Sequence, residues 1–286
     1  MKVTDALKPT HRRRPVFIAD FSPPRGPTTD FLDDAMKLIV DFIAVAYNPG
    51  KAVRIDSVSV AHEIKRVTGR ETIFNLSPRD MNRIAVQSRL LGGSIMGLSN
   101  VLVVQGDPLT ERDRIRAATG DTATSLIADI AQLNVGMDYK GLKLRAPTDI
   151  CIGASVDLGK GTEPEARLAG RKVEAGAQYL VTQPIFDAGE VERFESAYAR
   201  VTGSKLETPV FWGLQILVAD GVLFSNVPAS VRQQLEGGRS GVEIALEQYE
   251  AMLAAGVQGI YLVAPIMKGG ARDYDAAGEF LARIGA

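Results

Sequence analysis

Short apolar segments alternate with longer amphipathic segments along almost the whole chain. Segments of four to seven residues, rich in β-branched and aromatic side chains, are typical of strands; they are Val16–Phe21, Phe42–Ala46, Thr72–Leu76, Val101–Val104, Ile150–Val156, Tyr179–Thr182, Val210–Leu214 and Gly259–Val263. Between them, apolar residues recur with helical spacing, and the clearest predicted helices are Arg79–Ile95, Glu163–Ala175, Gly189–Val201, Gly241–Ala255 and Tyr274–Ile284. Strands that alternate with helices predict a parallel sheet of the α/β class.

The predicted strands are apolar at almost every position, as expected for strands covered on both faces. Three predicted helices are followed by a glycine just before the next strand, at Gly97, Gly176 and Gly256. Glycine is the residue that most easily adopts the left-handed conformation in which many helices end. Eight strand–helix units in about 250 residues favour a closed (β/α)8 TIM barrel in a single domain.

The alternative architecture is an open doubly wound sheet. Such a sheet binds its ligand at a glycine-rich turn after the first strand, whereas here that turn is Ser22–Gly26, with the sequence SPPRG. We therefore predict a barrel domain over residues 15–286, preceded by a polar arm over residues 1–14. The longest loops, Pro108–Gly120 and Asn134–Thr148, are predicted to cover the active site.

Composition narrows the function classes. The chain has 286 residues, of which 33 are basic and 34 acidic, so its net charge of −1 gives no reason to expect nucleic acid as a partner. Cys151 has no second cysteine to pair with, and His11 and His62 are the only histidines. The arm, which includes the Arg12–Arg14 run, lacks the apolar core of a signal peptide, and no apolar run is long enough to span a bilayer. We expect a cytoplasmic protein.

Polar residues follow several of the predicted strands. In a barrel these positions face the mouth, where active sites are found. They are Asp20, Tyr47, Asn48, Asn75, Gln105, Gly106, Asp107, Gln183 and Gln215. Carboxylates and amides therefore converge without histidine, so the expected chemistry depends on these groups or on a bound cofactor.

Asp20 is the most distinctive of these residues because it ends an apolar strand in the sequence FIADFSPP. Partial desolvation favours the protonated carboxyl, which suits a general acid; the alternative is an Asp that caps the following turn. Asp107, in VVQGDP, is either a catalytic carboxylate or a turn residue before Pro108. Gln183 offers an adjacent donor and acceptor that suit the edge of a pterin, or it orders a loop. Arg171 and Lys172 are either phosphate ligands or a solvated helix face.

The chain resembles the methylenetetrahydrofolate reductase family at these same residues. The similarity extends from Val16 to Ile284 and is strongest in DFSPPRG, SPRDMNRIAVQSRLLGG, NVLVVQGDP and RKVEAGAQYLVTQPIFD. The ending GIYLVAP is similar to the acetogen-type and homocysteine-methyltransferase-fused branch. The resemblance implies a barrel that binds FAD and reduces 5,10-methylenetetrahydrofolate to 5-methyltetrahydrofolate with NADH or NADPH.

The resemblance also implies roles for single residues. Asp20 corresponds to the family's catalytic glutamate, and Asp107 to its aspartate beside the flavin and the pterin. Gln183 corresponds to the glutamine that holds the folate, and Arg171 and Lys172 to positions near FAD. Among the other strand-end residues, we expect Gln215 to contact the substrate; those expected to contact the cofactor are Tyr47, Asn75, Gln105 and Gly106.

The chain departs from the family pattern at several positions. Asp20 is one methylene shorter than the family's glutamate, Asn75 replaces a histidine, and Ala46 replaces a threonine. The shorter acid changes the reach to the substrate. Because the lost polar contacts weaken FAD binding, direct hydride transfer from NAD(P)H without flavin is an open alternative. Two other functions also stay open: pterin-dependent methyl transfer, and folate binding as a non-catalytic subunit. The protein could also form homo-oligomers.

Overall fold

The fold is a closed barrel of eight parallel strands, which confirms the predicted architecture. The computed structural model describes residues 1–8, 14–113, 121–222 and 227–285. The strands, in barrel order, are β1 (Val16–Phe21), β2 (Phe42–Val45), β3 (Glu71–Leu76), β4 (Asn100–Val103), β5 (Cys151–Val156), β6 (Tyr179–Pro184), β7 (Val210–Gln215) and β8 (Gly259–Val263). β8 pairs with β1, with Ile18 opposite Tyr261, and this pairing closes the sheet.

One helix, α1, precedes β1, and the other helices follow the strands around the outside of the barrel. They are α1 (Val3–Ala6), α2 (Phe31–Lys37), α3 (Ser57–Thr68), α4 (Arg83–Ile95), α5 (Ala123–Asn134), α6 (Thr162–Glu174), α7 (Gly189–Thr202), α8 (Ala229–Glu236), α9 (Gly241–Ala254) and α10 (Tyr274–Arg283). α4 begins four residues later than predicted because the Asn82 side chain accepts a hydrogen bond from Ala85 N, which caps the helix there. Within the described part of the chain, no helix could span a membrane.

The core has two layers, as the alternation of side chains along a strand requires. Residues that point outward, such as Phe17 and Phe74, pack against the helices. Residues that point inward, such as Ile18 and Ile73, fill the barrel itself. The glycines predicted to end helices, Gly97, Gly176 and Gly256, all have positive φ, at 77°, 119° and 80°.

The base of the barrel is closed by α1. Val3 and Ala6 are fully buried and belong to the same cluster as the inward-pointing strand residues. Asn100 on β4 accepts a hydrogen bond from Val3 N at 2.9 Å and so fixes the helix to the barrel. The start of the predicted polar arm is therefore an integral part of the core. His11, Arg12 and Arg13 lie outside the described residues.

One of the two long loops does not lie where the sequence predicted. Asn134–Thr148 runs from the end of α5 to the start of β5, so it lies at the base of the barrel, opposite the mouth. The Asn134 side chain fixes its end there, because its oxygen accepts hydrogen bonds from Thr148 Oγ1 and Ile150 N. The prediction that this loop covers the active site is wrong. Pro108–Gly120 does leave from the mouth end of β4, but residues 114–120 lie outside the described ranges.

Gly153 is a point where the interior has no spare room. A Cβ at this position would lie 2.2 Å from the ring of Tyr179, which is fully buried and donates its hydroxyl proton to Val101 O. We expect Gly153→Ala to lower the free energy of unfolding by about 1–3 kcal/mol, measured by urea denaturation, because overpacking forces neighbours to move. The control is Gly92→Ala in α4, where no atom lies within 4 Å of the new Cβ. That variant should gain up to about 1 kcal/mol; equal stability of both variants would contradict the expectation.

Candidate active site

The mouth of the barrel is lined by a layer of four polar side chains from alternate strands. They are Asp20 on β1, Asn75 on β3, Ser155 on β5 and Gln215 on β7. Each lies two or four residues beyond an inward-pointing core residue of the same strand, so it points to the same side of the sheet. Three of the strand-end residues singled out in the sequence are thus brought together.

The Asp20 carboxylate is held by two residues from the far end of the chain. Tyr261 on β8 donates its hydroxyl proton to Oδ1 at 2.9 Å. Arg272, in the loop after β8, approaches Oδ2 with Nη2 at 3.2 Å and Nε at 3.4 Å. Both side chains of the ion pair are nearly buried, with 12% of Arg272 and 10% of Asp20 exposed.

These contacts do not fit the turn-capping interpretation of Asp20. Its carboxylate caps no turn, because the first backbone N–H after β1, Ser22 N, donates to the hydroxyl of Tyr274. Instead, a phenol and a guanidinium both donate to it. Burial, and then the Asp20 carboxylate, raise the pKa of the Tyr261 phenol well above its ordinary value, so Tyr261 stays a donor.

The two amide side chains of this layer, Asn75 and Gln215, have polar atoms without a hydrogen-bond partner. Neither amide atom of Gln215 has a hydrogen-bond partner among the described residues, although only 2% of the residue is exposed. The side-chain oxygen of Asn75, which is 6% exposed, also has none. A buried polar atom left unpaired costs about 1–3 kcal/mol. Two such side chains beside a carboxylate are therefore the expected signature of a surface that binds a polar ligand.

Gln183 lies at the mouth end of β6 and is exposed, and its side chain makes no hydrogen bond to a described residue. The ladder between β6 and β7 shifts register between Val181 and Pro184. Gly213 permits this shift, since a Cβ there would lie 2.6 Å from the carbonyl of Gln183. The backbone of Gln183 is therefore held tightly against β7, while its amide is free to meet a ligand.

A second concave surface lies next to the mouth, between α5 and α6. This cleft has a volume of about 640 Å³, and its charged lining consists of Asp157, Lys160, Glu165, Arg171 and Lys172. The hydroxyls of Thr122, Thr124 and Ser125, at the start of α5, line the opposite wall. The three cations and the row of hydroxyls are donors that suit phosphate groups, and the two carboxylates offset part of the positive charge. The predicted cofactor residues Gln105, Arg171 and Lys172 all line this cleft.

Lys172 is the buried cation of the cleft, only 5% exposed, and its Nζ donates to the carbonyl oxygen of Ser155. Burial lowers the pKa of Lys172; Glu165 acts in the opposite direction, and Lys160 and Arg171 lower it further. Glu165 is itself held, because its Oε2 accepts a hydrogen bond from Asp157 N at 3.0 Å. An anion in the cleft would relieve the repulsion among the three cations.

The turn after β4, with the sequence Gly106-Asp107-Pro108, lies between the cleft and the mouth. Gln105 points toward the cleft, where its Oε1 accepts a hydrogen bond from Ala123 N and caps α5. Gly106 has φ of 77°, and a Cβ there would lie 2.6 Å from Ser77 Oγ, so this turn requires glycine. Asp107 is exposed and makes no hydrogen bond or ion pair with a described residue.

Tyr47 follows β2 and does not line the cleft. Its ring is flanked by the guanidinium groups of Arg79 and Arg89, at 6.0 and 5.9 Å from the ring centre. Burial, followed by the charge of Asp80 and a hydrogen bond to it, raises the pKa of Tyr47 to about 12. The structure therefore places Tyr47 between two arginines, apart from the cleft that Gln105, Arg171 and Lys172 line.

Sequence reasoning missed Tyr261 and Arg272. Tyr261 carries a hydroxyl inside the apolar segment GIYLV, and Arg272 ends the segment KGGAR just after it. A hydroxyl in a buried strand and an arginine in the loop that follows were the available signals. Neither signal indicates that the partner is Asp20, because Asp20 is 241 residues from Tyr261 and 252 residues from Arg272 in the chain.

Comparison with known sequences matches nearly the whole chain to one family. The family model for methylenetetrahydrofolate reductase matches residues 7–268. Methylenetetrahydrofolate reductase (NADH) 1 of Arabidopsis thaliana is 22% identical over 92% of this chain and 48% of its own length. The probable methylenetetrahydrofolate reductase (NADH) of Oryza sativa subsp. japonica is 21% identical over 87% and 46%. The chain thus spans about half the length of these curated relatives.

Solved structures with the same fold include two distant proteins. An uncharacterized protein from Clostridium thermocellum, which binds two copies of 5-methyl-5,6,7,8-tetrahydrofolic acid, has a TM-score of 0.64 and 14% identity, covering 96% of both chains. DmoA from Hyphomicrobium sulfonivorans has a TM-score of 0.56 and 11% identity, covering 96% of this chain and 89% of its own. At these low sequence identities, the similarity to the two structures shows a shared fold and nothing more.

Proposed function

The chain belongs to the methylenetetrahydrofolate reductase family, and we propose that it reduces 5,10-methylenetetrahydrofolate to 5-methyltetrahydrofolate with NADH or NADPH. The observation that carries the proposal is the Asp20 carboxylate at the barrel mouth, beside the unpaired amides of Gln215 and Asn75. Both plant relatives are named as NADH-dependent reductases, which supports NADH as the donor. The folate bound by the Clostridium thermocellum protein is the product of this reaction, which supports a folate as the substrate class.

In the proposed mechanism, Asp20 in its protonated form donates a proton to the amine nitrogen that leaves the bridging carbon. The ring opens to a 5-iminium cation, and hydride from NAD(P)H adds to that carbon to give the methyl group. Asp107, exposed at the end of β4, stabilises the cation electrostatically. Gln183 and Gln215 hold the pterin through their amide donors and acceptors. Asp20 then regains its proton from solvent, so one proton and one hydride are consumed in each turnover.

The cleft between α5 and α6 is the proposed site for a dinucleotide. Its cations and hydroxyls fit a diphosphate, which FAD and NAD(P)H both carry, and Lys172, Arg171 and Lys160 would hold that group. When bound, FAD supplies a two-electron carrier between NAD(P)H and the substrate. Ala46 lacks the hydroxyl of the family's threonine, and Asn75 replaces the family's histidine with a group of different shape, so we expect FAD to bind more weakly than in a typical relative.

The experiment that tests the proposed function is a turnover assay with purified protein. NADH absorbance should fall when 5,10-methylenetetrahydrofolate is added, and 5-methyltetrahydrofolate should form in equal amount. The assay is run with and without added FAD, and activity without it would favour direct hydride transfer. Folate binding without NADH or NADPH oxidation would refute the proposed function and favour a folate-binding subunit. Methyl transfer to a corrinoid protein without a nicotinamide requirement would favour a methyltransferase.

The placement of the dinucleotide has its own test in Arg171, an exposed residue of the cleft. We expect Arg171→Met to weaken FAD binding about five-fold, measured by quenching of flavin fluorescence, because an exposed charge pair contributes about 1 kcal/mol at most. Arg167→Met is the matched control, since Arg167 is an exposed arginine of the same helix, outside the cleft, where it pairs with Glu163. Equal affinities in both variants would place the dinucleotide elsewhere, and no saturable quenching in the wild type would exclude flavin as the carrier.

A further inference from the structure

The turn that contains Asp107 is held by its backbone on both sides. On the side before Asp107, the fully buried Ser77 donates its hydroxyl proton to Gln105 O at 2.9 Å. On the side after it, the Lys51 ammonium donates to Pro108 O at 3.3 Å. Between these two carbonyls, the Asp107 side chain is exposed and makes no hydrogen bond or ion pair with a described residue. The direction of its carboxylate therefore depends on the backbone of the turn.

Lys51 also holds the segment that follows the turn. Its Nζ forms an ion pair with Asp113 Oδ2 at 2.9 Å, and 25% of the Lys51 side chain and 17% of the Asp113 side chain are exposed. The same oxygen accepts hydrogen bonds from Thr110 N at 2.6 Å and from Thr110 Oγ1 at 2.8 Å. The hydrogen bond from Lys51, followed by those from Thr110, lowers the pKa of Asp113 to about 2, so this carboxylate stays ionised at neutral pH.

These contacts join two loops whose strands are not neighbours. Lys51 lies in the loop after β2, and both of its partners, Pro108 and Asp113, lie in the loop after β4. Because β3 lies between these two strands in the barrel, the contacts span the mouth end of β3. A single lysine thus ties the loop after β4 to the far side of its neighbouring strand.

The backbone of the loop after β2 is unusual at Lys51 itself. Among the residues that the structure describes, only Asn48 and Lys51 have a positive φ without being glycine, at 39° and 59°. Lys51 N donates to Asn48 O, and Arg54 N donates to Asn48 Oδ1, both at 3.1 Å. Such conformations are costly for residues with long side chains, and they persist where the surroundings hold them, often at functional sites. Lys51 is thus held by its own loop, independently of its partners after β4.

We infer that Lys51 is a positioning residue for Asp107: it holds the turn after β4 from the side opposite to Ser77, so that the free carboxylate keeps one direction at the mouth. This inference rests on the proposed function, in which Asp107 stabilises the iminium cation. A charge that is fixed before the reaction stabilises such a cation without a cost of reorganisation. The sign of the effect is distinctive. Removal of a nearby ammonium would by itself favour a cation, whereas loss of positioning disfavours it.

The kinetic test compares Lys51→Met, Lys51→Arg and Asp107→Asn, and the double variant of Lys51→Met with Asp107→Asn. Lys51→Met should lower kcat about ten-fold, since a displacement of about 1 Å can cost about 10²-fold, while the KM for NADH stays unchanged. Lys51→Arg keeps a charged donor and should retain most of the wild-type kcat. In the Asp107→Asn background, Lys51→Met should cause no further fall, because no carboxylate is left to position. An unchanged or higher kcat in Lys51→Met, or an equal fall in both backgrounds, overturns the inference.

The matched control is Lys65→Met. Lys65 Nζ also donates to one carboxylate and one backbone carbonyl, Glu71 Oε2 at 2.9 Å and Gly97 O at 3.0 Å. Its side chain is 28% exposed, close to the value for Lys51, but this ion pair lies at the base of the barrel. The kcat of Lys65→Met should be that of the wild type. A fall as large as that in Lys51→Met would show a general loss of stability and overturn the inference.

Hydrogen exchange of the free protein, followed by mass spectrometry, separates this inference from the proposed function. In Lys51→Met, peptides that cover residues 104–113 should exchange about five-fold faster than in the wild type, the effect expected for losing one partly exposed ion pair. The same peptides should be unchanged in Lys65→Met. Equal exchange in the wild type and Lys51→Met overturns the inference whatever the activity. Faster exchange in Lys51→Met, with no turnover even in the wild type, refutes only the proposed function. If Lys51→Met does not fold, Asp113→Asn replaces it, because it weakens the same ion pair and should speed exchange in the same peptides.

Discussion

Turnover is expected to fall about 10²–10⁴-fold when Asp20 is replaced by asparagine, the range usual for loss of a general acid. The amide has nearly the same shape as the carboxyl but cannot deliver a proton to the leaving amine. Folate binding should be nearly retained, because the loss falls on a step that follows binding. The measurement is steady-state kinetics of NADH oxidation, together with titration of the folate by calorimetry.

Two further variants show whether this loss belongs to Asp20 itself. Asp149→Asn removes a carboxylate that is exposed at the base of the barrel, where it pairs with Lys2, and should leave turnover unchanged. Asp20→Glu tests the length of the acid: where the site has adapted to aspartate through Arg272 and Tyr261, the longer side chain should cost activity. Near wild-type turnover in Asp20→Asn would reassign the acid to Asp107 or to a water molecule.

Replacement of Gln183 by alanine is expected to raise the KM for methylenetetrahydrofolate about ten- to a hundred-fold. The estimate follows from the cost of about 1–3 kcal/mol for leaving paired polar groups without a partner. The KM for the nicotinamide donor should change far less, because we assign the pterin edge, and not the dinucleotide, to Gln183. Initial rates with each substrate varied in turn measure both constants.

The control for this variant is Gln258→Ala. Gln258 is an exposed glutamine just before β8, at the base of the barrel, where its Nε2 donates to Gly256 O. Both KM values should be those of the wild type. In Gln183→Ala, the two KM values could rise equally, or only the KM for the nicotinamide donor could rise. Either result would show that Gln183 orders the loop after β6 and does not bind the substrate.

The hydrophobic pattern was sufficient to predict the barrel and the set of strand ends at its mouth. Strands buried on both faces must be nearly continuous in apolar residues, and parallel neighbours need helical crossovers, so β1 to β8 are visible locally in the sequence. The same reasoning brings Asp20, Asn75 and Gln215 to one mouth, because parallel strands end at the same face. Burial of these polar residues at that face was therefore foreseeable.

The pattern was less informative where a strand ends and the chain turns. Gln105 and Tyr47 both follow strands, yet Gln105 caps α5 and Tyr47 lies between Arg79 and Arg89. Because successive side chains alternate between the two faces of a sheet, a difference of one residue decides whether a strand-end side chain enters the mouth or faces the helices. The position of the Asn134–Thr148 loop was likewise decided by connectivity, since a helix-to-strand loop lies at the base.

The sequence by itself determined which residue could be the acid of the site, and the tertiary structure decided which groups hold that residue. Local composition reveals a carboxyl at the end of an apolar strand, but it does not reveal the partners of its two oxygens. Those partners are Arg272 and Tyr261, more than 240 residues away, and they reach Asp20 only because β8 closes the barrel beside β1. A long-range pair of this kind leaves no periodic signal in the chain, since it is created by the closure of the sheet and the conformation of one loop.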